Sequence, residues 1–171
     1  NLYHEDVFVG GDSSFIAPDS YYLSVNCRLI QGITDSDGYG LMFEAIGDEC
    51  YAFFRIRDHM RRASVVRTLN GGDRSVVYLY QLPISSLFSR QTNQLGILAI
   101  DDMHWFYING VGVGNCRIPR LPCARLDVGI AAGSNQQVVC EYTDFRIYTP
   151  PHIRPYMKLE TLVGMPMDAL V

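Results

Sequence analysis

From Tyr21 to Ile30 the chain reads YYLSVNCRLI, and the mainly apolar set falls on every second position. Tyr21, Leu23, Val25, Cys27 and Leu29 point one way; Tyr22, Ser24, Asn26 and Arg28 point the other. A period of two is that of a half-buried β-strand, with the apolar set toward a core. The same reading predicts strands at Tyr39–Ile46 (YGLMFEAI), Cys50–Arg57 (CYAFFRIR), Ala63–Leu69, Ser75–Tyr80, Gln94–Ile100, His104–Ile108 (HWFYI), Leu126–Ala132 and Gln137–Tyr148. Shorter ones are predicted near Tyr3–Val9 and at Val111–Val113. Turn residues separate them: Asp37-Gly38, Gly47-Asp48-Glu49, Asn70-Gly71-Gly72-Asp73, Asp101-Asp102 and Asn109-Gly110. These sequences reverse a chain tightly, so Cys50–Arg57 is the expected hairpin partner of Tyr39–Ile46, and Ser75–Tyr80 of Ala63–Leu69. Leu82–Phe88, with Pro83, reads as one helical turn or an irregular crossing, and Cys116–Arg125, with Pro119 and Pro122, as a loop. No stretch carries a 3.6-residue apolar period over helix length. About ten strands at 8–12-residue spacing predict an all-β, two-sheet antiparallel sandwich or barrel over residues 1–148.

The remainder, Thr149–Val171, is different. Pro150-Pro151, Pro155 and Pro166 punctuate it, and Ile153, Tyr156, Leu159, Leu162 and Met165 are apolar residues that need a surface. Such a segment is not a flexible hydrophilic linker. It is expected to pack on its own sandwich or on a neighbouring subunit, which makes those five the candidate docking residues.

Composition narrows the function. The chain has 171 residues, enough for one domain with a sizeable core. Its net charge of -4 disfavours nucleic acid as a partner. No apolar run reaches the roughly 20 residues that span a membrane. The five cysteines, Cys27, Cys50, Cys116, Cys123 and Cys140, form no CxxC pair and no zinc-type cluster. They fit either two disulfides and a spare thiol outside the cytoplasm, or buried free thiols.

Four passages resemble the concanavalin A-like lectin/glucanase superfamily, in its laminin-G-like and sugar-hydrolase-like extracellular domains: DGYGLMFEA with CYAFFRIR, NQLGILAIDDMHWFYINGVGV, LDVGIAAGS and YTDFRIY. The likeness runs from about Tyr21 to Tyr148. It implies a jelly-roll of two stacked antiparallel sheets with first and last strands adjacent. It also implies that Cys27 and Cys140 lie on neighbouring strands, which makes them the preferred disulfide pair. Cys116 and Cys123 flank the Pro-containing loop as a second pair, with Cys50 left over.

The resemblance does not select a function, since this fold hosts lectins, hydrolases, adhesion modules and structural domains. A glucanase would carry Glu-x-Asp-x-x-Glu, whose alternation sets carboxylates on one face. None of the 18 acidic positions has that spacing. Glu44 stands alone on its strand, and Glu141 and Asp144, three apart, fall on opposite faces under strict alternation. The expectation is therefore a non-catalytic protein without a cofactor. Asp35, Asp37 and Asp48, with Glu44, are the candidate calcium ligands, although turn initiation is the simpler explanation of the aspartates. His104, Trp105 and Tyr107 on one hairpin are the candidate carbohydrate contacts: an exposed Trp/Tyr pair stacks on a sugar ring. The competing reading places Trp105 and Tyr107 in the core. Arg55, Arg57, His59, Arg61 and Arg62 form the basic concentration, expected as a solvated hairpin edge. Two functions follow: an extracellular lectin-like binding or adhesion module for carbohydrate or a protein surface, or a structural subunit of an extracellular polymer docking through its terminal segments.

Overall fold

In the computed structural model, the described residues are 5–9, 15–32, 38–46, 50–57, 60–69, 73–78, 86–88, 90–133 and 138–149. They form twelve strands: β1 (Glu5–Val9), β2 (Phe15–Ile16), β3 (Ser20–Gln31), β4 (Gly38–Ile46), β5 (Cys50–Arg57), β6 (Arg62–Leu69), β7 (Asp73–Tyr78), β8 (Asn93–Ile100), β9 (Met103–Ile108), β10 (Val111–Arg117), β11 (Arg125–Gly133) and β12 (Val139–Tyr148). One sheet runs β1-β11-β4-β5-β6-β7 with β2 also on β11; the other runs β10-β9-β8-β3-β12. Every pairing is antiparallel, and the last strand lies beside β3. The all-β jelly-roll sandwich is thus present, with both predicted hairpins in place.

The period-two reading of β3 places its inward set correctly. Tyr21, Leu23, Val25, Cys27 and Leu29 join one core with Leu41, Phe43, Phe54, Ile97 and Phe106 between the sheets. Phe106 packs tilted against both Phe43 and Phe54, at 5.8 and 4.9 Å between ring centroids, an edge-to-face geometry that aromatic pairs favour.

Residues that carried the family likeness have local structural tasks. A Cβ on Gly40 would lie 2.0 Å from the Phe54 carbonyl oxygen, so only glycine lets β4 approach β5 there. Asn93 is fully buried; its side chain accepts the Phe88 N–H and donates to the Phe88 carbonyl, both at 2.8 Å. Asn109 donates to Asn93 (2.9 Å) and accepts the Gln94 N–H (2.8 Å), closing the β9–β10 turn onto β8.

Several expectations are corrected. β2 was not legible as a strand, being two residues long. β10 continues to Arg117, so the first part of the expected Cys116–Arg125 loop is strand. Arg55 is buried and not part of a solvated edge; its Nε donates to Ser64 Oγ at 3.3 Å. Arg61 and Arg62 are exposed at the turn, as expected. None of the five cysteines forms a disulfide in the structure. The register gives the reason for the preferred pair: Cys27 faces Tyr142 and Cys140 faces Leu29, so the two are diagonal neighbours. Diagonal positions are about 7–8 Å apart, beyond the roughly 5.5–6 Å usual across a disulfide. Cys116 sits in β10 opposite His104, while Cys123 is exposed in the following loop. Burial pushes the Cys116 thiol up to about 11, which keeps it protonated and unreactive at neutral pH.

Candidate functional site

The predicted hairpin does not offer an exposed aromatic pair. Trp105 and Tyr107 are 3% and 1% exposed. They alternate away from the main core and pack with Tyr22 and Leu98 on the opposite face of the five-stranded sheet. His104, with the other parity, is fully buried between the sheets against Phe43. The structure therefore separates the three residues onto two faces, and sugar stacking on Trp105 is not available in this arrangement. Asp35, Asp37 and Asp48 lie outside the described residues, as do Ile153, Tyr156, Leu159, Leu162 and Met165. Among the described residues no group of three or more His, Cys, Asp or Glu side chains is placed to hold a metal.

His104 instead belongs to a buried polar cluster with Glu44. At Glu44–Ala45 the β4 ladder slips against both β5 and β11, and Glu44 takes a positive φ of 50°. This bulge turns the carboxylate off the face that alternation assigned it. Glu44 is 1% exposed and accepts the Leu121 N–H at 2.8 Å. Arg120 Nε approaches its Oε1 at 2.9 Å, as a charge contact off the line of a hydrogen bond. His104 Nε2 stands 3.6 Å from the same oxygen. Arg120 also lies over the Tyr21 ring, 5.0 Å from its centroid, and donates to the Pro18 carbonyl. With the Ala17 N–H on the Ala124 carbonyl (2.7 Å), this anchors the chain that follows β2.

β2 carries Phe15, and Phe15 forms one wall of a pocket of 370 Å³. The pocket lies between the sheets at their lateral edge. Its other lining comes from Leu126, Asp127 and Val128 of β11 and from Tyr142, Thr143, Asp144 and Phe145 of β12. The topology explains its position. Along one side of β11, β2 pairs with Arg125–Leu126 and β1 with Gly129–Gly133, so neither strand reaches Asp127 or Val128. Opposite, β12 is the edge of its sheet, and its ladder slips between Thr143 and Arg146. Asp144 has a positive φ of 57° within that bulge.

The pocket has an aromatic wall, and Asp127 and Asp144 belong to the strand segments that line it. Phe15, 49% exposed, stacks on Phe145 with centroids 6.1 Å apart. Tyr142 donates its hydroxyl to the Gly129 carbonyl at 2.6 Å, bridging the sheets at the back. Asp127 accepts the Val128 N–H at 2.8 Å, while burial raises its carboxyl above the usual range, against that bond. Asp144 is held from outside by Arg146 at 2.7 Å. The sequence reading missed this site because the bulge breaks alternation: Tyr142 and Phe145, three apart, both pack against the main core. The odd spacing of apolar residues in VCEYTDFRIY was the available signal.

Comparison with known proteins is consistent with this architecture. No family model matches the chain, and no curated protein matches its sequence. Solved structures do match its fold. The carbohydrate-binding module CBM66 from Bacillus subtilis superposes with a TM-score of 0.59 at 14% identity, covering 81% of this chain and 78% of that one. A functionally unknown protein from Saccharomyces cerevisiae gives 0.56 at 16%, covering 80% and 73%. Chicken galectin 2 gives 0.51 at 8%, covering 75% and 89%. At such identities the likeness is one of fold: this is a jelly-roll β-sandwich.

Proposed function

We propose that this chain is a non-catalytic carbohydrate-binding module that acts outside the cytoplasm and holds its ligand in the pocket between β11 and β12. The observation that carries the proposal is an exposed aromatic wall, Phe15 on Phe145, in an open pocket. A sugar ring has an apolar C–H face, which such a wall addresses. The fold shared with a carbohydrate-binding module supports the same reading. Asp127 and Asp144 stand on different strands and do not reproduce the Glu-x-Asp-x-x-Glu pattern of a single catalytic strand.

A glycan array probed with wild-type protein and with Phe15→Ala tests this. Retained glycans whose signal falls at least tenfold in the variant support the pocket. Binding unaffected by the variant places the ligand elsewhere, and release of new reducing ends overturns the non-catalytic reading.

A further inference from the structure

We infer that residues 150–171 fold back over the outer face of the five-stranded sheet and cover the cluster of Tyr22, Leu98, Trp105 and Tyr107. This is an intramolecular docking surface, separate from the pocket between β11 and β12.

The burial of that face requires a cover. Tyr148, Tyr22, Leu98 and Trp105 stand in one row across β12, β3, β8 and β9, and Ser24, Gly96 and Tyr107 occupy the next. Side chains on a sheet stand roughly perpendicular to it, so neighbours in a row shield one another's flanks and leave the tips open. Yet Tyr22, Leu98, Trp105 and Tyr107 are 4%, 2%, 3% and 1% exposed. The apolar side chains packed against them, Ile100, Met103 and Tyr148, belong to the same sheet, and the seven-stranded sheet packs on its other side. Burial stops at β10, where Gly112 and Asn115, the partners of Tyr107 and Trp105, are exposed. The cover therefore reaches from β12 to β9. The Trp105 indole N–H is buried with no acceptor among the described residues, although such a group normally finds one.

Position and composition single out residues 150–171. β12 ends at Tyr148, within the cluster's own row. From there to Trp105 is three strand spacings, about 14 Å, which about five extended residues cross. The other segments outside the described residues join or precede strands of the seven-stranded sheet, or meet β3, β8 and β12 at the end remote from this row. Ile153, Tyr156, Leu159, Leu162 and Met165 supply the matching apolar surface. Pro150, Pro151, Pro155 and Pro166 keep carbonyl acceptors and lack the N–H donors that would need partners on a sheet face. One carbonyl of the segment satisfies the Trp105 N–H.

A protease that cuts only after lysine has a single target in this chain, Lys158. Its rate on the native full chain, read by intact mass, measures how often the segment leaves the sheet. The wild-type chain is expected to resist, and Trp105→Ala to be cut about tenfold faster or more. Tyr148→Ser serves where Trp105→Ala does not fold. Val65→Ala, in the core between the sheets, controls for general loss of stability and is expected to stay near the wild-type rate. The reciprocal arm uses the chain's single tryptophan: Leu159→Asp with Leu162→Asp is expected to raise acrylamide quenching of Trp105 several-fold. Wild-type cleavage as fast as the Trp105 variant's, equal acceleration by Val65→Ala, or unchanged quenching overturns the inference. Protection that fades on dilution assigns the cover to a second copy of the chain and overturns the intramolecular arrangement.

Discussion

Two strands of this sandwich carry an acidic residue in a left-handed bulge, and the two residues end in opposite circumstances. On β4, Glu44 is turned inward and its carboxylate meets Arg120, His104 and the Leu121 N–H. On β12, Asp144 stays at the rim with one exposed cationic partner, Arg146. The backbone device is the same: one extra residue, a slipped ladder and a positive φ. What differs is the environment across the sandwich. Opposite Glu44 lie β9 and the Arg120–Leu121 segment, which supply charge and a backbone donor. Opposite Asp144 lies the stretch of β11 that neither β1 nor β2 pairs with, and Asp144 takes its partner from its own strand. A buried carboxylate is tolerated only when matched, so the first acid works as a structural fastener; a solvated one needs no such match.

The strongest way to break this comparison is the same substitution at both bulges. Glycine relieves the positive φ in each case, so the difference isolates the carboxylate. Glu44→Gly leaves Arg120 and His104 without their anion and is expected to cost about 3–5 kcal/mol in urea unfolding. Asp144→Gly is expected to stay within about 1 kcal/mol of wild type. Equal losses at the two sites would dissolve the distinction.

Arg120→Ala comes next. It removes contacts to Glu44 and to the Pro18 carbonyl, at a cost of about 2 kcal/mol. Because that carbonyl follows β2, the variant should also weaken sugar binding several-fold by loosening Phe15, although Arg120 does not line the pocket. An affinity unchanged in titration would show that the fastener and the pocket are independent.

The smallest effect sharpens the rim side. Burial raises the Asp127 carboxyl, so the folded protein binds that proton more readily than the unfolded chain. Its stabilising contribution is full below the ordinary carboxylate range and lost as pH rises through the raised value. Asp127→Asn should therefore be slightly more stable than wild type at pH 7, with the gap closing by about pH 3.5. Urea midpoints at the two pH values check it; a gap that widens in acid gives the opposite sign and refutes it.

Much of the fold was legible. The alternation of β3 named its inward residues, and the Gly47-Asp48-Glu49 and Asn70-Gly71-Gly72-Asp73 sequences located both hairpins, because strand period and turn chemistry are local properties. The aromatic hairpin was legible only in part. Its alternation is real, but alternation says that two sets face apart and not which set meets the other sheet. Trp105 and Tyr107 went to the far face and His104 to the interior. The pocket was missed because its residues come from β2, too short to signal itself, and from two consecutive strands that lie in opposite sheets, one of them bulged.

The sequence alone determined that this chain is all-β and where its strands pair as hairpins. These depend on φ and ψ preferences and on neighbours within a few residues. Only the tertiary structure decided which acid is buried and which stays at the rim. A bulge shifts side-chain parity by one residue, and its consequence depends on what the opposing sheet presents at that point.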